Sequence, residues 1–179
     1  MNGIVRSLKS DHDLLLAFLL DQQPSMAIMM ESTLSKVLVL ACASEIEADL
    51  QGIVIEYFQE VLPASSIALE FVRNKAISRQ YHTYFDWDAA NANKFFSLFG
   101  TSFKSDVSAL VRADPELADA IRSFLELGLL RNNLVHQSYA AFTLEKTADE
   151  IFGLYEKARD FLSTLTQLLR SVGSTTEEP

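Results

Sequence analysis

The longest hydrophobic rhythm in the chain lies between Glu31 and Leu62, where Val39, Cys42, Ile46, Leu50, Ile53, Tyr57 and Val61 recur at helical spacing. With 3.6 residues per turn, such spacing places them on one face, so the interval predicts one long buried helix. Pro63-Ala64-Ser65-Ser66 ends it, since proline cannot continue the backbone ladder and serine caps a following helix. A shorter helix is predicted over Ile67 to Arg79.

The next stretch, Tyr81 to Asp88, is aromatic and irregular, and either Asp86 or Asp88 can cap a helix through about Leu98 before Gly100 stops it. A connecting helix follows around Ser105 to Arg112. Asp114 then reads as an N-cap, with Pro115 at the first helical position and Glu116 in the first turn. These three signals agree on a helix running to about His136. After a bend over Gln137 to Thr143, Thr147 and Glu150 match a capping box. The last helix is expected to reach about Val172, with Ile151, Tyr155, Ala158, Phe161, Leu165 and Leu168 on its core face. No segment alternates as a half-buried strand does, so the expected fold is all-α: a helical bundle with one long helix and additional short helices. Residues 1–173 read as a single domain and 174–179 as a flexible tail.

Composition narrows the class. A chain of 179 residues, 49% hydrophobic and 22% charged, can bury a core without disulfides or metal. Cys42, the only cysteine, sits in the apolar run Val37 to Cys42 and reads as a core thiol in a reducing cytoplasm. Charged residues interrupt the apolar stretches before the roughly 20 residues a membrane span needs, so no membrane association is expected. Asp11 and Asp13 ahead of Leu14 argue against a secretory signal, and the expected location is cytoplasmic. A net charge of −9 opposes binding nucleic acid by general phosphate neutralisation, and no DNA partner is expected. An enzyme acting on RNA needs only a local cationic site.

The chain has no Gly-rich phosphate loop, no paired-cysteine pattern, no His-Glu-x-x-His and no Gly-x-Ser-x-Gly. With His12, His82 and His136 as its histidines, it offers little for a structural zinc, and no metal or other cofactor is expected. What stands out is Arg131-Asn132-Asn133-Leu134-Val135-His136, where a polar cluster breaks the apolar pattern near a helix end. Five residues on an ideal helix separate Arg131 from His136 by roughly 140°, so a bend or a second subunit is needed to bring them together. Metal-free RNA cleavage requires a base for the 2′-hydroxyl, an acid for the leaving oxygen and positive charge at the phosphate. Histidine suits the first two roles near neutral pH and arginine the third, while Asn132 or Asn133 adds donors. The same residues also read as helix-end contacts, with His136 a cation near free carbonyls and Arg131 on the surface.

Arg131 to His136 resembles the signature of HEPN domains: an arginine, four to six residues, then a histidine, with asparagine commonly beside the arginine. Ala43-Ser44-Glu45-Ile46-Glu47 and Phe95-Phe96-Ser97-Leu98-Phe99-Gly100 are similar to the RiboL-PSP subgroup, over about residues 30 to 170. The resemblance implies a helical bundle that forms a homodimer, with two Arg/His motifs facing each other in a composite, metal-independent ribonuclease site. Arg131 and His136 would be catalytic, RNA the substrate, and the setting toxin–antitoxin or anti-phage defence, with an antitoxin or defence-system partner. It further implies an acidic or polar residue on an earlier helix touching the arginine. Glu45 is the candidate, Asp49 shares its edge, and Glu47 points nearer the opposite face. Tyrosine two residues after the histidine, a feature of relatives regulated by modification, is replaced here by Ser138, with Tyr139 next. Other members of the family bind partners or nucleotides without cleaving RNA, so the alternative is a non-catalytic interaction, antitoxin or nucleotide-binding module.

Two further groups complete the candidates. Tyr81 and Trp87 can stack RNA bases, with Lys75, Arg79 and His82 guiding phosphate. The competing readings are a core or dimer contact for the aromatics and a solvated helix face for the cations.

Overall fold

The computed structural model describes residues 3–64, 66–137 and 139–173. Ser65, Ser138 and the expected tail 174–179 lie outside them. Among the described residues the architecture is all-helical: α1 (Ile4–Gln22), α2 (Pro24–Val61), α3 (Ile67–Phe71), a π-helical segment (Val72–Ile77), α4 (Tyr81–Tyr84), α5 (Asn93–Ser97), α6 (Thr101–Ala113), α7 (Pro115–His136) and α8 (Ala148–Gly173).

The predicted long helix is α2, but it starts earlier, with Pro24 in its first turn. Proline is suited to that place because its missing N–H would have had no partner there. Leu38, Val39, Cys42, Ile46 and Leu50 form its buried row. By length and composition α2 would be able to cross a membrane, which corrects the expectation that no segment is apolar enough. In the structure its buried row instead fills the core between α7 and α8. Preceding it, α1 returns antiparallel along α2, a helix that the sequence reading did not predict.

Both predicted caps are present. The Asp114 carboxylate accepts the N–H of Glu116 at 2.9 Å and of Leu117 at 3.1 Å, and so starts α7. The Thr147 N–H donates to Glu150 Oε2 at 2.8 Å while the Glu150 N–H donates to Thr147 Oγ1 at 3.2 Å, the reciprocal pair that starts α8. Between α3 and α7 the outcome differs from expectation. The helix expected over Ile67 to Arg79 widens into the π segment after Phe71, where the Ser78 N–H reaches back to the Arg73 carbonyl at 2.9 Å. Neither Asp86 nor Asp88 caps a helix. Phe85 and Trp87 turn into the core and hold their backbone out of helical form, so α5 begins only at Asn93, where the Asn91 side chain accepts the Asn93 N–H. Gly100, at φ 103°, makes the turn that lets α6 start immediately, earlier than expected.

Candidate active site

Arg131 to His136 occupies the last turn and a half of α7, which remains regular through His136 before the Gln137 N–H closes it on the Asn133 carbonyl at 3.0 Å. The bend that would converge Arg131 and His136 within one chain is therefore not present. Leu134 is buried and fixes the helix to the core, whereas Arg131, Asn132 and Asn133 are half-buried and His136 is exposed. Arg131 Nη1 donates to Asn132 Oδ1 at 3.2 Å. Among the described residues His136 makes no side-chain hydrogen bond, so its ring is open to a ligand.

The acidic neighbour of Arg131 is Glu47, not Glu45. Glu47 Oε2 lies 3.9 Å from Arg131 Nη2, both side chains about one-third exposed (31% and 33%). Glu45 instead accepts the Tyr155 hydroxyl at 2.5 Å and faces Arg159 at 3.6 Å. Asp49 is also on that side, in a groove with Arg159 and Ser163. Burial, then the charge of Glu45, raises its carboxyl above the ordinary range, and Arg159 offsets part of the rise. The cause is which helix lies where. Residues two apart on a helix point about 200° apart, and α2 carries α8 on the Glu45 edge and the end of α7 on the Glu47 edge. Lys36, eleven residues before Glu47 and thus about three turns away on the same face, confirms the side. Its buried ammonium donates to the Tyr139 carbonyl at 3.0 Å and sits 5.2 Å from the Tyr139 ring. It thereby ties down the chain just beyond the motif.

Tyr81 and Trp87 belong to the core behind the motif, not to a stacking platform. Tyr81 is buried, 5.3 Å from the Trp87 ring and 6.1 Å from Phe85, while Trp87 is half-buried and donates its indole N–H to the His82 carbonyl at 3.1 Å. The Trp87 ring rests against Gly128, one turn before Arg131, where a methyl group would fall 2.1 Å from Cζ3. Among the described residues the buried Tyr81 hydroxyl has no hydrogen-bond partner. Burial, and next the negative charge of Glu47, drives it far above its ordinary range, with Arg131 opposing. The structure therefore joins Tyr81, Glu47 and Arg131, a grouping that sequence reasoning missed because it depends on the path of residues 72–92. Lys75, Arg79 and His82 are all exposed, Arg79 in the left-handed region at φ 61°.

An all-helical bundle whose penultimate long helix ends in Arg-Asn-Asn-x-x-His, with an acid from the long central helix beside the arginine, defines a class. The model of the RiboL-PSP-HEPN family matches residues 6–171, and the chain belongs to that family. The family supports a nuclease-like or RNA-related module. No curated protein and no solved structure matches the chain.

Proposed function

We propose that this chain is a metal-independent endoribonuclease whose active centre is completed by a second copy. The observation that carries the reading is the state of the motif. Arg131 is loosely held by a neutral amide and a 3.9 Å ion pair, and His136 stands exposed at the end of a regular helix. A guanidinium so held can exchange its partners for phosphate oxygens, which it binds through two parallel N–H groups. Within one chain the two side chains diverge by roughly 140°. Exposed Val135 within the motif and Tyr139 just beyond it supply apolar surface for a copy to cover.

In the reaction, the ribose 2′-oxygen attacks phosphorus and the bond from phosphorus to the 5′-oxygen breaks. One His136 takes the 2′-hydroxyl proton and His136 of the partner subunit delivers a proton to the 5′-oxygen. Arg131 stabilises the crowded phosphate, with Asn132 orienting it. Exposed Arg79 and His82, flanking Tyr81, extend the cationic path for RNA. A toxin or anti-phage role follows as a proposal from the same activity, since unrestrained RNA cleavage arrests growth.

The test is the chemistry of the products. RNA incubated with the purified protein in chelator should yield 2′,3′-cyclic phosphate and 5′-hydroxyl ends, at a rate per protomer that rises as protein concentration drives dimerisation. Cleavage that disappears in chelator, or that leaves 5′-phosphate ends, would overturn the proposal.

A further inference from the structure

Independently of any ribonuclease activity, the α1–α2 hairpin carries apolar side chains that the rest of the chain leaves uncovered. Arg6 pairs with Glu156 at 2.6 Å and Lys9 with Asp149 at 2.7 Å, so α1 runs antiparallel to α8 and passes the start of α8 near residue 9. Beyond that point α1 packs mainly on α2, while Ile28, Glu31, Ser32 and Ser35 of α2 line a groove with residues 144–147. Between Asp13 and Leu34, Ala27 is the one buried residue, and Leu16, Leu19, Met30 and Leu34 are half-buried. Yet the same stretch exposes Leu14 (69%), Phe18 (62%), Leu20, Met26, Ile28 (72%) and Met29. Leu14 and Phe18, four residues apart, form a stripe on the outer side of α1, turned away from its buried His12. Exposed Asp11 and Asp21 share that face of α1, while Leu20 and the α2 residues Met26, Ile28 and Met29 lie on other sides of the hairpin.

Charge selects the occupant. Asp13 is paired with Lys9 at 2.6 Å, but Asp11, Asp21 and Glu31 are exposed, and from Ser10 to Ser35 the chain has no lysine or arginine. A second copy laid on this surface would set Asp11 and Asp21 against their own counterparts. Anionic lipid and RNA are disfavoured for the same reason. A protein segment with leucine-like side chains on one face and lysine or arginine on its flanks complements both features.

We infer that the tip of the α1–α2 hairpin is a docking site for a basic amphipathic segment of a partner protein. The full-length chain is titrated into a fluorescent helical peptide of leucine and lysine, beside a control with serine for leucine and another with glutamate for lysine. Binding should be seen for the leucine–lysine peptide only, and should weaken at least about tenfold both in Leu14→Gln/Phe18→Gln and in Asp11→Asn/Asp21→Asn. Circular dichroism should show both variants folded, because the altered side chains are exposed. Undiminished binding by the Leu14→Gln/Phe18→Gln variant, or equal binding of the serine peptide, would overturn the inference. So would conversion of a dimer to a monomer by that variant in sedimentation velocity, which would identify a second copy as the occupant.

Discussion

Gly128→Ala tests how firmly the aromatic core holds the motif helix. In an open helix this change stabilises by about 1 kcal/mol, because glycine loses more backbone freedom on folding. Here the new Cβ would lie 2.1 Å from Cζ3 and 2.5 Å from Cε3 of Trp87, distances no packed pair sustains. The indole must leave its place 5.0 Å from Phe85 and give up its bond to the His82 carbonyl. Truncating a large buried aromatic costs about 3–5 kcal/mol, and the half-buried ring puts this case at the lower end. The net expectation is a loss of about 2 kcal/mol, read from urea unfolding midpoints. In a Trp87→Ala background the obstacle is gone, and the same substitution should become stabilising by about 1 kcal/mol. A stabilising Gly128→Ala with Trp87 in place, or an equal loss in both backgrounds, would refute the packing described.

Glu45→Ala should destabilise by about 1–3 kcal/mol, since it strips the Tyr155 hydroxyl and Arg159 of a shared carboxylate, while Glu47→Ala should remain within about 0.5 kcal/mol; the reverse order in denaturant titrations would move the arginine's partner back to Glu45. Because the folded Asp49 carboxyl is raised above its unfolded value, it favours the fold at low pH and loses that contribution as pH rises through its folded value. Asp49→Asn should therefore raise the melting temperature at neutral pH and cease to do so below the ordinary aspartate value of about 3.9, and a gain that persists in acid would contradict the assignment. Burial, aided by the charge of Glu45, pushes the Cys42 thiol up to about 12. A thiol reagent at neutral pH should accordingly label the chain only along its unfolding curve, and prompt labelling of native protein would contradict the buried position.

Features decided by neighbours in sequence were legible. Asp114 with Pro115, and Thr147 with Glu150, satisfy backbone groups within one turn, so the starts of α7 and α8 needed no tertiary knowledge. The start of α2 at Pro24 has an equally local signal, but the buried rhythm that marks the helix begins only later, around Ser35. In α1 the apolar residues encircle the helix, as suits a hairpin exposed on its outer side, and amphipathic spacing could not reveal it. The region from Val72 to Ala92 is shaped by the burial of Tyr81, Phe85 and Trp87 against α7, contacts distant in sequence. Arg131 and His136 were found from the motif, yet the choice between Glu45 and Glu47 turned on which side of α2 receives α7. That placement is tertiary, and spacing along α2 carries no record of it.

The central claim is that Arg131 and His136 form a metal-free RNA-cleaving centre. Wild type, Arg131→Ala and His136→Ala, each shown to be folded, should be incubated with total RNA in chelator. Cleavage by wild type alone is the predicted result; equal inactivity of all three, or cleavage that survives both substitutions, would contradict it.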